Sequence, residues 1–76
     1  MPKLKEDKYG LLKRLIMGGI LATGKTRDEI ASYMRISTHT LQKRLEDPSQ
    51  LTLGNVSDLA WILAIPIDSM RNAIPR

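Results

Sequence analysis

The stretch Lys25–Glu46, KTRDEIASYMRISTHTLQKRLE, decides how the rest of the chain is read. It divides into two short helices around a tight turn at Arg35-Ile36-Ser37. Thr26 and Glu29 are spaced as a Thr-x-x-Glu capping box ahead of the apolar Ile30, Ala31 and Met34. Ser37 is a second good N-cap, and the helix it introduces carries Leu41 and Leu45 on its inward face. Thr38, His39, Gln42 and Lys43 fall on the outward face, and all four can hydrogen-bond to base edges or phosphates. Two helices joined by a three-residue turn, the second polar and cationic outside, are the sequence form of a helix-turn-helix.

The chain has 76 residues, enough for one domain with a modest core and no room for a substrate domain beside it. Cysteine is absent, which excludes disulfides and thiolate metal sites and is compatible with a reducing cytoplasm. His39 is the sole histidine, without carboxylates at close spacing, so neither a metal nor a cofactor is expected. No apolar run approaches the roughly 18 residues needed to span a bilayer, and the opening segment lacks the apolar region of a secretory signal.

Net charge is +4, and its distribution says more than its size. Residues 1–24 carry five Lys and Arg against two Asp and Glu, and residues 25–45 the same. Residues 46–76 reverse this, with two against four. A chain basic in its first part and acidic in its last suggests one face for a polyanion and one turned away. A membrane surface is a poorer candidate anion, because the first helix is too uniformly apolar for a cationic interfacial helix.

Residues 1–6 read as a flexible basic arm bearing Lys3 and Lys5, ahead of a single domain over residues 7–76. The first helix is expected from about Asp7 to Ala22, with Tyr9, Leu12, Ile16, Gly19 and Ile20 on one stripe and Leu15 beside it. Met17 and Leu21 lie off that stripe. Gly18 and Gly19 each cost about 1 kcal/mol in a helix relative to alanine, and close approach of another helix is the favoured reason for them. Gly24 suits a left-handed C-terminal position. Asp47-Pro48-Ser49 has turn chemistry. Thr52 caps a fourth helix whose expected core face is Leu53, Val56, Leu59, Ala60 and Leu63, with Ile62 pointing nearly opposite. Pro66 starts a last helix in which Ile67, Met70 and Ile74 cover the core. No segment alternates as a strand does, so the fold class is all-α with five helices.

So placed, the chain resembles the lambda-repressor-like, or Cro/C1-type, helix-turn-helix family, in a short phage-derived form. The resemblance covers about residues 10–72. It rests on Thr26-Arg27-Asp28-Glu29-Ile30-Ala31, the turn Arg35-Ile36-Ser37, the pair Thr40-Leu41, the connector Pro48-Ser49-Gln50-Leu51-Thr52-Leu53, and the closing Leu59-Ala60 and Leu63-Ala64-Ile65-Pro66. The family's usual turn glycine is Arg35 here, and the usual glycine after the recognition helix is also missing. A left-handed backbone at Arg35 would cost about 1–2 kcal/mol, unless its guanidinium gains a contact such as a phosphate.

The resemblance implies a compact five-helix DNA-binding domain whose helix over residues 37–46 enters the major groove. Carried over by position, base contacts fall to Thr38, His39, Gln42 and Lys43. Gln42 suits adenine N6 and N7, Lys43 suits guanine O6 and N7, and Thr38 can donate, accept or pack against thymine. Phosphate contacts fall to Lys25, Thr26, Arg27, Arg35, Thr40, Arg44, Ser49 and Gln50. The Thr26 backbone amide at a helix N-terminus favours an anion, while Arg44 could instead pair with Glu46 or Asp47. Trp61, Ile62 and Ile65 form a candidate self-association patch, unless the last helix covers it.

The expected function is sequence-specific recognition of double-stranded DNA by a repressor-like or Cro-like regulator, as a candidate homodimer. The expected location is the bacterial cytoplasm, in association with the nucleoid. An architectural or recombination accessory role, and a protein-interaction module such as an antitoxin or antirepressor, stay open. An enzyme is not expected: there is no Gly-x-Ser-x-Gly, no P-loop and no paired carboxylates in a predicted cleft. No small-molecule substrate or membrane partner is expected either.

Overall fold

The computed structural model describes residues 8–75, so the basic arm over residues 1–6 and the Asp7 helix start lie outside the described residues. Five α-helices follow in order: α1 Gly10–Thr23, α2 Arg27–Met34, α3 Thr38–Glu46, α4 Leu53–Ile62 and α5 Ile67–Ala73. A single 3-10 turn, Pro48–Gln50, links α3 to α4, and no strand occurs among the described residues. Helix α1 begins at Gly10, its first rung running from the Lys13 N–H to the Tyr9 carbonyl at 2.9 Å.

The helix starts follow the side chains that the sequence supplies. Thr26 Oγ1 accepts from the Glu29 amide at 3.1 Å, and Glu29 Oε1 accepts from the Thr26 amide at 3.0 Å, closing the capping box on α2. The Thr26 backbone amide first, and the Thr26 hydroxyl after it, hold the Glu29 carboxyl below its ordinary range, against an opposing effect of burial. Ser37 Oγ accepts from the Thr40 amide at the start of α3. Thr52 and Asn55 make the same reciprocal pair at α4, with Asn55 in the place usually held by Glu or Gln.

Three helices end in the left-handed region. Gly24, at φ 70, closes α1 with its N–H on the Ile20 carbonyl. Arg35, at φ 60, closes α2, and the next amide, Ile36, reaches back to the Ala31 carbonyl at 3.0 Å. Ala64, at φ 55, follows α4 with the same wiring, Ile65 N–H to Ala60 O at 2.9 Å. In both, the six-to-one bond is that of a Schellman turn, and the isoleucine after the turn packs against the core. Arg35 and Ala64 thus hold a left-handed backbone without glycine, whereas Asp47, which ends α3 where the other glycine was expected, is at φ -127 and bears no such strain. Ala64→Gly removes about 1–2 kcal/mol of that strain and returns part of it as unfolded-chain entropy. The expected net gain is about 0.5–1 kcal/mol, read as a rise of a few degrees in melting temperature. A melting temperature equal to or below that of the parent chain would count against strain at this position.

The core is aliphatic. Leu12, Ile16 and Ile20 from α1 meet Ile30, Ala31 and Met34 from α2, with Leu41, Val56, Leu59, Ala60, Leu63, Met70 and Ala73 completing it. Helix α2 packs on both α3 and α4, and α5 packs on α4 and α1. Gly19 is where α1 meets the corner after α4. A Cβ there would stand 2.9 Å from Leu63 Cβ and 3.0 Å from Ile65 Cδ1, so the contact requires glycine. Gly18 has open space around it, and the expected close approach does not apply to that residue.

Three expectations about the core are corrected. Leu53 is 83% exposed, not on the core face. It is the first residue of α4, and helical side chains lean toward the N-terminus, which carries it past the end of the packed surface. Ile62 is half-buried against the core and does not point opposite to it. Ile67 is 38% exposed, and the residues that α5 buries are Met70 and Ala73.

Candidate nucleic-acid interface

Helices α2 and α3 pack against one another around the Arg35-Ile36-Ser37 turn. Leu41 is the one fully buried side chain of α3, and Leu45 is half-buried beside it. That anchoring leaves Thr38, His39 and Lys43 exposed and Gln42 half-buried. Arg44 does not pair with Glu46 or Asp47. Its Nη1 donates to Asn55 Oδ1 at 2.9 Å, tying α3 to the capping box of α4. That oxygen also accepts the Thr52 amide, so one asparagine fixes the start of α4 and the back of α3 together.

Arg27 of α2 and Gln42 of α3 face one cleft. With Lys13 of α1 and Glu46 of α3 they line this cleft of about 320 Å³, which Ile16, Met17 and Leu45 also border. Arg27 is half-buried there. Its Nη2 donates only to Met17 Sδ, at 3.8 Å, and its buried Nε has no hydrogen-bond partner. A thioether is a weak acceptor, so most of the hydrogen-bonding capacity of this guanidinium is unspent. Thr40, Lys43 and Gln50 line a second, more open groove near the α3 C-terminus, which Glu46 and Asp47 also border.

Several candidate polar groups are already engaged. The Thr26 amide is taken by Glu29, which removes it as an anion donor. The Ser49 hydroxyl donates to Asp47 Oδ1 at 2.6 Å, and this bond leads the causes that hold the Asp47 carboxyl low. Gln50 contributes to the same carboxylate. The Ser37 hydroxyl donates to Thr40 Oγ1 at 2.8 Å. Lys25 and Arg35 are exposed. The candidates most open to a ligand phosphate are therefore Lys25, Arg35, Lys43 and the unspent edge of Arg27.

Three contributors were missed in the sequence. Lys13 is carried to the cleft by α1, and its helical offset of four from Met17 is the signal that pointed there. Asn55 sits three residues after Thr52, which is the spacing of a capping box. Asp28 receives the Thr38 hydroxyl at 2.6 Å. Its place in the first turn of α2 complements the helix dipole, and nothing local in the sequence marks its contact with a residue ten positions later.

On the far side, Trp61 is 75% exposed. It lines a shallow groove with Ser57, Ala60, Ile65 and Ile67, so α5 leaves this surface open; Ile62 is turned into the core and is not part of it. Among the described residues no helix is long and apolar enough to cross a membrane, and no group of three or more His, Cys, Asp and Glu side chains could hold a metal ion. No protein-family model, curated protein or solved structure matches the chain.

Proposed function

We propose that the chain is a sequence-specific double-stranded DNA-binding regulator of the repressor or Cro type, presenting α3 to the major groove from a lambda-repressor-like body. One observation carries this most. A short helix held by Leu41 and by the Arg44–Asn55 bond leaves Thr38, His39 and Lys43 exposed, with half-buried Gln42 lining one cleft with Arg27. Phosphate contacts from Lys25, Arg27, Arg35 and Lys43 supply affinity, and contacts to base edges supply preference. This reading needs no cofactor and no catalytic group, and it places the chain with the nucleoid of a bacterial cell. The test is selection of bound duplexes from a random pool at near-physiological salt. A palindromic consensus is expected for a dimeric regulator and a single short half-site for a monomer. No enrichment of any sequence overturns the proposal.

Self-association belongs to the same reading. Leu53, Ser57 and Trp61 are spaced four apart on the exposed side of α4, and no Lys or Arg occurs between Arg44 and Arg71. Two copies, each basic overall, can meet there without bringing their cationic surfaces together. Sedimentation at increasing concentration is expected to show a dimer that Trp61→Ala weakens by tenfold or more, on the order of an aromatic hot spot's contribution. Identical monomer profiles for both proteins would remove this part of the reading. The same exposed Trp61 favours the second reading, an antitoxin-like or antirepressor-like protein-binding module. Recovery of a stoichiometric protein partner, together with absence of duplex preference, would select it.

A further inference from the structure

The free chain already holds two of its four candidate base-reading side chains against carboxylates. The Thr38 hydroxyl donates to Asp28 Oδ1 at 2.6 Å, and Gln42 Nε2 donates to Glu46 Oε1 at 3.1 Å. A hydroxyl has a single proton and two lone pairs, and a carboxylate only accepts. With its proton directed at Asp28, Thr38 has only lone pairs and a methyl group left for a ligand. Gln42 keeps one amide proton and its carbonyl, the donor and acceptor pair that adenine N7 and N6 require.

We propose that Asp28 sets the base preference of Thr38 by making it an acceptor-only reader, so that the base met by the first turn of α3 carries an amino group in the major groove. Adenine N6 and cytosine N4 satisfy that requirement. Guanine O6 and N7 and thymine O4 are acceptors and leave the Thr38 oxygen facing another oxygen or nitrogen lone pair. The inference rests on the DNA-binding reading above. Asp28 acts here as a positioning residue. A carboxylate on a surface offered to phosphates opposes binding at long range, and its first-turn place in α2 also favours the helix dipole. Both of those effects fall equally on every DNA sequence. A proton commitment changes the preference at one step only.

Duplex selection with the parent chain, Asp28→Ala, Thr38→Val and the double variant separates these effects. The parent chain is expected to favour adenine or cytosine at one step by roughly three- to tenfold, the discrimination one hydrogen bond supplies. Asp28→Ala frees the proton, and the preference at that step is expected to fall to near unity while other steps keep theirs. Thr38→Val, which keeps the shape and lacks the hydroxyl, should erase the same step and make Asp28→Ala silent there. Asp28 is exposed, so folding of its variant is checked by circular dichroism, and Thr38→Val carries the test if it fails. A parent consensus unchanged by Asp28→Ala overturns the inference. So does a thymine preference that survives Asp28→Ala and is lost in Thr38→Ser, because methyl packing would then be the reader. If the parent chain enriches nothing, the DNA-binding reading itself falls, a result distinct from either of these.

Discussion

Duplex binding is expected to weaken on the order of a hundredfold when salt is raised from about 50 to about 200 mM. The estimate comes from counting cations that are free to meet phosphates. Lys25, Arg35 and Lys43 are exposed, and Arg27 has unspent donors in its cleft. Arg44 is excluded from the count because Asn55 already holds it. Neutralising roughly four phosphates gives a slope near −3.6 in log affinity against log salt, since each contributes about −0.9. A fourfold rise in salt then costs somewhat more than two decades. Arg27→Ala should reduce the slope by about one unit and lower affinity on all sequences alike, as a phosphate contact does. Affinity independent of salt would sink the electrostatic reading of this face. A salt slope intact in Arg27→Ala would show that its guanidinium stays on Met17 in the complex.

The helices were legible in the chain because their ends are written locally. Thr26 with Glu29, Ser37, Thr52 and Gly24 each declare a boundary through their own chemistry, and each has the bonding expected of it. Ala64 escaped notice for the opposite reason. Nothing in an alanine signals a left-handed backbone, and only the path of the chain from α4 to α5 imposes one. Leu53 misled because a helical period assigns it a face, while its place at the very start of α4 decides what it touches.

The candidate interface was legible by residue type and illegible by commitment. Composition shows that Thr38, Gln42, Ser49 and Arg44 can hydrogen-bond. It does not show that their partners in the free chain are Asp28, Glu46, Asp47 and Asn55. The Asp28 and Asn55 contacts join residues ten or more positions apart, so they depend on how α2, α3 and α4 are packed. The broad charge asymmetry suggested acidic residues turned away from the cationic face. Asp28 and Glu46 lie on it, each bonded to a candidate reader, and the asymmetry of whole segments conceals that local arrangement.

The second large effect concerns the seat of α3. Leu41 is 0% exposed and is the one fully buried side chain that α3 contributes, while Leu45 is only half-buried. Leu41→Ala removes that side chain from a site surrounded by other elements, which costs about 2–5 kcal/mol. A domain of this length is stable by roughly 4–11 kcal/mol in all. At about 4–8 °C per kcal/mol for a small domain, the melting temperature should fall by roughly 8–40 °C. Leu45→Ala, which vacates a partly solvated position, should cost less than half as much, and the contrast separates a buried anchor from general loss of helix. Because α3 carries the candidate base contacts, the folded fraction of Leu41→Ala should also bind duplex more weakly at temperatures where the parent chain is intact. Added duplex should raise its melting temperature, since a ligand of the native state alone stabilises by mass action. A melting temperature within a few degrees of the parent chain would mean that Arg44–Asn55 and Leu45 suffice to seat the helix. The aim of Thr38, His39, Gln42 and Lys43 would then depend on the polar tie to α4 and not on the core.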